Sequence, residues 1–142
     1  MTDSYLLFTL QNFATKLVEK ESSPKYHFID TGLLWLMLLD CKSAQFENLV
    51  AIKLIRRYGL KNVYFFENNA DIDFYVPTEK LAVQVSMQVI DNMDTKECET
   101  KAFVNLIPDS KCLLITNSEE DTLDCDGIKA EVVPVWKWLL YD

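Results

Sequence analysis

The stretch DIDFYVPTEKLAVQVSMQV, residues 71–89, decides the fold that the sequence predicts. Apolar and polar residues alternate in both of its halves, which is typical of β-strands. The polar segment between the halves predicts a tight turn and therefore an antiparallel hairpin. This turn places Tyr75 opposite Ala82 and Asp73 opposite Gln84, so that the side chains of each pair are close neighbours.

The alternation assigns the side chains of the hairpin to two faces. One face is predicted to be apolar and to carry Ile72, Phe74, Val76, Val83, Val85, Met87 and Val89. The other face is predicted to carry Asp71, Asp73, Gln84, Ser86 and Gln88. A face with this many acids and amides is too polar for a solid core, so we expect either a solvated surface or a binding site there.

Two predicted helices add acids to the same region. In the helix predicted for residues 43–58, Glu47 lies within the apolar face. In the helix predicted for residues 94–106, Thr95 and Glu99 lie within the arc of the inner face. Because the burial of an isolated charge is costly, such carboxylates must be desolvated, paired or bound to a metal ion.

The acids and amides together predict an oxygen-rich site. Its metal ligands are predicted to be Glu47, Asp73 and Gln84, and further candidates are Asp71, Thr95 and Glu99. Two carboxylates about 5 Å apart repel each other by about 3 kcal/mol at an effective dielectric constant of about 20, so the cluster needs a proton, a Lys or Arg partner or a divalent cation. Oxygen ligands without histidine favour Mg²⁺ or Mn²⁺. The alternative is a solvated sheet face in which Glu47 is bonded to backbone amides.

The rest of the chain predicts an α/β fold with a mixed central sheet flanked by helices. Further strands are predicted at residues 5–10, 25–29, 62–66, 111–116 and 128–133, and further helices at residues 30–39 and 135–140. The first of these helices begins at Asp30, a favourable N-cap residue, and is apolar on nearly every side. We therefore expect it to be buried or to dock against a partner or a second copy of the chain.

Composition excludes several classes of protein. The 142 residues suit one domain, and a net charge of −8 disfavours nucleic acid as a ligand of this chain alone. Four cysteines without a C-x-x-C pair, one histidine and three glycines argue against a zinc site and a phosphate-binding loop. The longest apolar run, residues 33–39, is too short to cross a membrane, and the N-terminus lacks the pattern of a signal peptide. We expect a cytoplasmic protein.

An ordered set of short motifs carries a resemblance to a known family. The motifs are KYHFIDTGL (25–33), FENLV (46–50), DIDF (71–74), QVS (84–86), TKECE (95–99), LLIT (113–116) and VWKWLL (135–140). In this order they resemble the C-terminal domain of unknown function carried by bacterial and archaeal AAA-type ATPases, which is similar to the PD-(D/E)XK, restriction-endonuclease-like fold. The resemblance implies a single domain over residues 1–142. Residues 1–40 form an N-terminal extension of strands and an apolar helix, and residues 41–142 form a nuclease-like core with the order helix, three strands, helix, strand.

The resemblance also implies roles for the site residues. Glu47 matches the helix acid of an active nuclease, Asp73 the first strand acid and Gln84 the second metal ligand. Ser86 stands where an active member has the lysine that stabilises the negative charge developed at phosphorus. Serine cannot supply that charge, so the four positions are expected to be vestigial catalytic positions.

The function expected from this departure is that of a non-catalytic accessory or interaction domain, normally C-terminal to an AAA-type ATPase. Its expected partner is the ATPase module, another protein or a second copy of the chain. The alternative is a Mg²⁺- or Mn²⁺-dependent nuclease acting on DNA or RNA, in which a cation such as Arg57 replaces the missing lysine.

Overall fold

The computed structural model describes residues 6–14, 23–37, 42–67, 71–87, 103, 109–125 and 127–141. Within the helix predicted for residues 94–106, Phe103 is helical and buried. The other residues of that predicted helix, including Thr95 and Glu99, lie outside the described residues. The predictions for those two side chains therefore stay predictions.

The described chain forms an α/β structure, as predicted. Its helices are α1 (Thr31–Met37), α2 (Lys42–Tyr58) and α3 (Val135–Leu140), with short 3₁₀ turns at Leu60–Asn62 and Pro77–Glu79. Its strands are β1 (Leu7–Leu10), β2 (Lys25–Phe28), β3 (Tyr64–Glu67), β4 (Asp71–Val76), β5 (Leu81–Val85), β6 (Lys111–Thr116), β7 (Asp121–Cys125) and β8 (Ile128–Pro134). The prediction omitted β7, because its sequence, DTLDC, carries two acids, which are rare in strands.

Six of these strands form one mixed sheet in the order β3-β4-β5-β6-β8-β7, which confirms the predicted mixed sheet. Strands β3, β4 and β5 are antiparallel neighbours, β6 lies parallel to β5, β8 lies parallel to β6, and β7 returns antiparallel to β8. A parallel pair needs a crossover of about a dozen residues or more, and residues 86–110 provide one between β5 and β6. Strands β1 and β2 form a separate antiparallel ribbon.

The β4–β5 hairpin has the predicted register. Tyr75 faces Ala82 in the ladder. Across the turn, the Lys80 N–H donates a hydrogen bond to Pro77 O at 3.2 Å. Lys80 has a left-handed backbone with a φ of 48°, which closes the turn. The turn chemistry thus sets the register, as the sequence predicts.

Both faces of the sheet carry a hydrophobic core, so the prediction of one polar face was wrong. The core beneath α2 contains Leu10, Phe46, Val50, Ala51, Leu54, Val63, Phe65, Phe74, Val76, Val83 and Ile115. The core of the opposite face contains Ala14, Phe66, Ile72, Tyr75, Ala82, Phe103, Cys112, Leu114, Leu123, Ala130 and Val132. The hairpin sequence misleads because Tyr75 and Ala82 join apolar residues that come from strands distant in sequence.

Ile72 lies on the face opposite to Phe74, although strict alternation predicts that they share one face. The cause is a bulge in β4. Tyr64 faces Tyr75 while Phe66 faces Ile72, so three steps of β4 (75 to 72) oppose two steps of β3 (64 to 66). A bulge inserts one residue into a strand and thereby reverses the face of the residues beyond it.

The two longer described helices begin or end where the sequence predicts. Gly59 follows the last residue of α2 and has a φ of 86°, a left-handed conformation that glycine adopts without strain. At the start of α1, Asp30 Oδ1 accepts a hydrogen bond from the Gly32 N–H at 2.6 Å, which confirms the predicted N-cap. In α2, Phe46 and Val50 are buried against the sheet, as the apolar periodicity predicts.

Two buried asparagines attach the β1–β2 ribbon to the rest of the fold. Asn48 of α2 accepts a hydrogen bond from the Phe28 N–H at 2.8 Å and donates one to Phe28 O at 3.0 Å. Asn12, which follows β1, accepts from the Glu67 N–H at 3.1 Å and donates to Glu67 O at 2.9 Å. Each side-chain amide donates one hydrogen bond and accepts one, and breaking both in a buried position is costly. The ribbon is therefore fixed to the rest of the fold at Asn48 and at Asn12.

Large apolar side chains remain exposed on the two short helices. In α1, Leu34 is buried, whereas Trp35 and Leu36 are 73% and 84% exposed. In α3, Trp136 and Leu140 are also exposed. One side of α1 is therefore core and the other faces solvent. None of the helices in the described ranges is both long enough and apolar enough to span a membrane.

Candidate functional site

The predicted ligands Asp73 and Gln84 lie side by side where the regular β4–β5 ladder ends. Gln84 Oε1 accepts a hydrogen bond from the Asp73 N–H at 3.1 Å, and Asp73 Oδ2 accepts one from the Val85 N–H at 2.9 Å. The last regular pair before them is Phe74 with Val83. The two side chains therefore supply backbone acceptors at the point where the bulge of β4 disrupts the ladder.

Ser86 and Arg57, the two residues that concern the missing catalytic charge, have the following positions. The Ser86 N–H donates a hydrogen bond to Ile115 O at 3.0 Å and so continues the β5–β6 pairing. Arg57, the cation suggested for an active nuclease, is exposed and stacks on the ring of Tyr58 at 5.5 Å. It lies about 15 Å from Glu47 along the helix axis, at the other end of α2.

Glu47 is half-buried on α2, between the buried side chains of Phe46 and Asn48. Burial raises the pKa of its carboxyl above the ordinary value, the charge of Lys25 opposes this rise, and the charge of Asp71 adds to it. Helix α2 contacts both β2 and β4, the strands that carry Lys25 and Asp71. The structure thus brings these three charged residues together, and they are called the Lys25 cluster below.

Lys25 is the residue of this cluster that the sequence did not predict. Its Nζ lies 3.6 Å from Asp71 Oδ1 and 5.1 Å from the centroid of the Phe65 ring. The sequence holds one local signal for its position: in KYHF, Lys25 and His27 alternate with the exposed Tyr26 and therefore point to the inner side of β2. No local pattern tells which elements that inner side contacts.

His27 follows Lys25 on the inner side of β2 and is only 6% exposed. Its ring stacks on Phe8 at a centroid distance of 5.5 Å and lies 5.7 Å from the ring of Phe74. In the described part of the chain its Nε2 has no hydrogen-bond partner. Burial, and secondarily the charge of Lys25, lowers the pKa of His27 to about 4. His27 is therefore neutral at neutral pH and packs as an aromatic residue.

The oxygens predicted as metal ligands at Asp73 and Gln84 have backbone partners in the described structure. One oxygen of Asp73 and the amide oxygen of Gln84 accept backbone hydrogen bonds, and Glu47 is coupled to Lys25 and Asp71 instead. Within the described ranges, no three Asp, Glu, His or Cys side chains converge in the way that a metal ion requires. Binding of Mg²⁺ or Mn²⁺ by the three residues stays a prediction.

Comparison with known proteins relates the chain to an archaeal protein. The chain is 34% identical, over 155 aligned residues, to the uncharacterized protein MJ1544 of Methanocaldococcus jannaschii. The alignment covers 98% of this chain and 34% of that protein, so the chain spans about a third of the length of its relative. No protein-family model matches the chain, and no solved structure matches it. The aligned region includes both the β4–β5 hairpin and the Lys25 cluster.

Proposed function

We propose that the chain is a non-catalytic, nuclease-like accessory domain that binds a partner protein. The observation that carries the proposal is that Asp73 Oδ2 and Gln84 Oε1 accept hydrogen bonds from backbone N–H groups at the end of the hairpin. A metal-dependent nuclease needs such oxygens for the metal ion and a cation for the transition state. Here the oxygens stabilise the sheet, and Ser86 supplies no charge.

The order of the elements supports the restriction-endonuclease-like part of the proposal. Helix α2 is followed by the antiparallel strands β3, β4 and β5, and then by β6, which is parallel to β5. This is the order that the resemblance implies for the core, with the helix predicted for residues 94–106 in the crossover. This order of the acid of α2, the hairpin and the parallel strand along the chain supports the proposal.

The surface that we propose for the partner lies on α1 and α3. Helix α1 packs on α2, and on the same side of the sheet Lys53 Nζ of α2 donates a hydrogen bond to Leu139 O of α3 at 3.3 Å. These two helices expose Trp35, Leu36, Trp136 and Leu140, followed by Tyr141. Exposed aromatic side chains of this size are typical of protein interfaces. The resemblance points to an AAA-type ATPase module as the partner.

A cleavage assay tests the non-catalytic part of the proposal. The purified chain is incubated with DNA and RNA, single- and double-stranded, in Mg²⁺ or Mn²⁺ and in EDTA. We expect no cleavage above the EDTA control. Metal-dependent cleavage that is lost in both Asp73→Ala and Glu47→Gln would contradict the proposal and favour the nuclease alternative.

A binding titration tests the partner. An AAA-type ATPase module of the family that the chain resembles is titrated with the purified chain, and complex formation is measured by sedimentation. We expect a complex that the double variant Trp35→Ser/Leu36→Ser weakens at least about tenfold, the effect of losing roughly 1.4 kcal/mol. The matched control, Leu60→Ser, removes an exposed leucine outside α1 and α3. A complex that is unaffected by the double variant would contradict the proposed surface, and doubling of the mass of the chain alone would identify a second copy as the partner.

A further inference from the structure

We infer that Lys25 supplies the positive charge beside the Glu47 and Asp71 carboxylates, and that a divalent cation can bind in its place when the lysine is removed. The inference deepens the proposed non-catalytic function and rests on it, because an ammonium group that offsets one of the two negative charges competes with a metal ion for the same place.

The cluster is assembled by elements that the fold holds together. Lys25 comes from β2, Glu47 from α2 and Asp71 from the first position of β4. The Lys25 Nζ is 3.6 Å from Asp71 Oδ1, which is within the range of an ion pair. Helix α2 contacts both strands, and the charges of Lys25 and Asp71 both act on the pKa of the Glu47 carboxyl.

Two features of the fold fix the position of the Lys25 ammonium group. Asn48, the residue after Glu47, is bonded to both backbone groups of Phe28 and so fixes β2 against α2. The Lys25 Nζ also lies over the ring of Phe65, where the ring quadrupole attracts a cation. An ordinary surface ion pair has neither constraint. The side chain of Lys25 is only 30% exposed, against 71% for Asp71, so the lysine is the inner member of the pair.

Lys25 lowers the pKa of the Glu47 carboxyl, against two effects that raise it. Burial raises the pKa of the Glu47 carboxyl, the negative charge of Asp71 raises it further, and Lys25 is the group that lowers it. Without the ammonium group, the half-buried Glu47 carboxyl would be exposed to the negative charge of Asp71 alone, which favours a proton or another positive charge at Glu47. A hard divalent cation is the ligand that such oxygens favour.

The test removes the lysine and supplies a metal ion. The thermal unfolding midpoint, Tm, of the wild type, of Lys25→Met and of Lys25→Gln is measured in EDTA and across a millimolar titration of Mn²⁺. Methionine keeps most of the length of the side chain, and glutamine keeps a hydrogen-bond donor on a shorter stem, so the two variants remove the charge with different packing. The control, Lys111→Met, removes an exposed lysine at the start of β6.

We expect both Lys25 variants to have a lower Tm in EDTA and to regain it by a saturable Mn²⁺-dependent rise of a few degrees, which the wild type and Lys111→Met lack. Addition of Glu47→Gln to Lys25→Met should abolish the rise. The inference is overturned if neither Lys25 variant gains a Mn²⁺ response, if the wild type responds as strongly, or if the response survives Glu47→Gln. The cleavage assay reports separately on the proposed function, so failure of one is distinguishable from failure of the other.

Discussion

The side-chain amide oxygen of Gln84 accepts a hydrogen bond from the backbone N–H of Asp73 at 3.1 Å, and the Asp73 carboxylate accepts one from the next residue of β5, Val85, at 2.9 Å. The two bonds cross the hairpin in opposite directions and replace regular ladder bonds beside a bulge. An oxygen that accepts a backbone N–H at this distance has a structural role. The resemblance implies Asp73 and Gln84 as metal ligands, and in the structure one side-chain oxygen of each accepts a backbone hydrogen bond.

This role predicts different effects for two substitutions of Asp73. Asp73→Asn is expected to keep most of the free energy of unfolding, because an amide oxygen can still accept from the Val85 N–H. Asp73→Ala is expected to lose about 1–2 kcal/mol, because that N–H is left without its acceptor in a half-buried position. Urea denaturation measures both values. Equal losses would show that the negative charge matters more than the acceptor and would favour a ligand role for Asp73.

Asn48 offers a second test of side-chain bonds to the backbone. Asn48→Ala is expected to destabilise the fold by about 2–3 kcal/mol, because it leaves the N–H and the C=O of Phe28 without their partners in a buried contact. The matched control is Asn62→Ala, since Asn62 is exposed and donates one hydrogen bond to Tyr58 O at 2.8 Å. We expect the control to lose less than about 1 kcal/mol in the same urea titration. Similar losses in the two variants would contradict the inference that the two Asn48–Phe28 hydrogen bonds hold β2 against α2.

The hairpin could be predicted from the sequence because its register depends on a turn and on alternation within one short stretch. The apolar face and the end of α2 could be predicted for the same reason, since helix periodicity and Gly59 are local signals. The identity of the facing pair Tyr75 and Ala82 followed directly. Features that depend on residues close together in the sequence could therefore be predicted from the pattern of apolar residues and turn residues alone.

Contacts between distant residues could not be predicted in this way. The bulge that turns Ile72 to the second core depends on how β3 pairs with β4, and nothing within β4 itself reveals it. Asn12 meets Glu67 across 55 residues, and Lys25 meets Asp71 across a comparable distance in sequence. The candidate site therefore gained a cation, Lys25, to which the motifs assigned no role, because alternation shows which side a residue faces but not which residues it contacts there.

Glu47→Gln is expected to stabilise the fold as the pH rises. Because burial raises the folded-state pKa of Glu47 above its ordinary value of 4.5, the stability contributed by the protonated form is complete below 4.5 and is lost as the pH rises through the folded pKa. Glutamine mimics the protonated form and does not titrate. Urea denaturation of variant and wild type from roughly pH 4 to pH 8 should show a difference that grows with pH. The control is Glu131→Gln, at an exposed acid of β8. A constant difference would argue against a desolvated Glu47.

His27 has the opposite dependence on pH. Its folded pKa of about 4 lies below the ordinary value of 6.5, so the stability that it contributes is complete above pH 6.5 and is lost as the pH falls towards 4, because the unfolded chain takes up the proton first. The interval (6.5 − 4 = 2.5 units) corresponds to about 3 kcal/mol. His27→Phe keeps the ring contact with Phe8 and removes the proton acceptor. Urea denaturation in the Glu47→Gln background, where the opposing titration is absent, should therefore show a much flatter acid limb for the variant. An unchanged limb would place the acid sensitivity elsewhere in the fold.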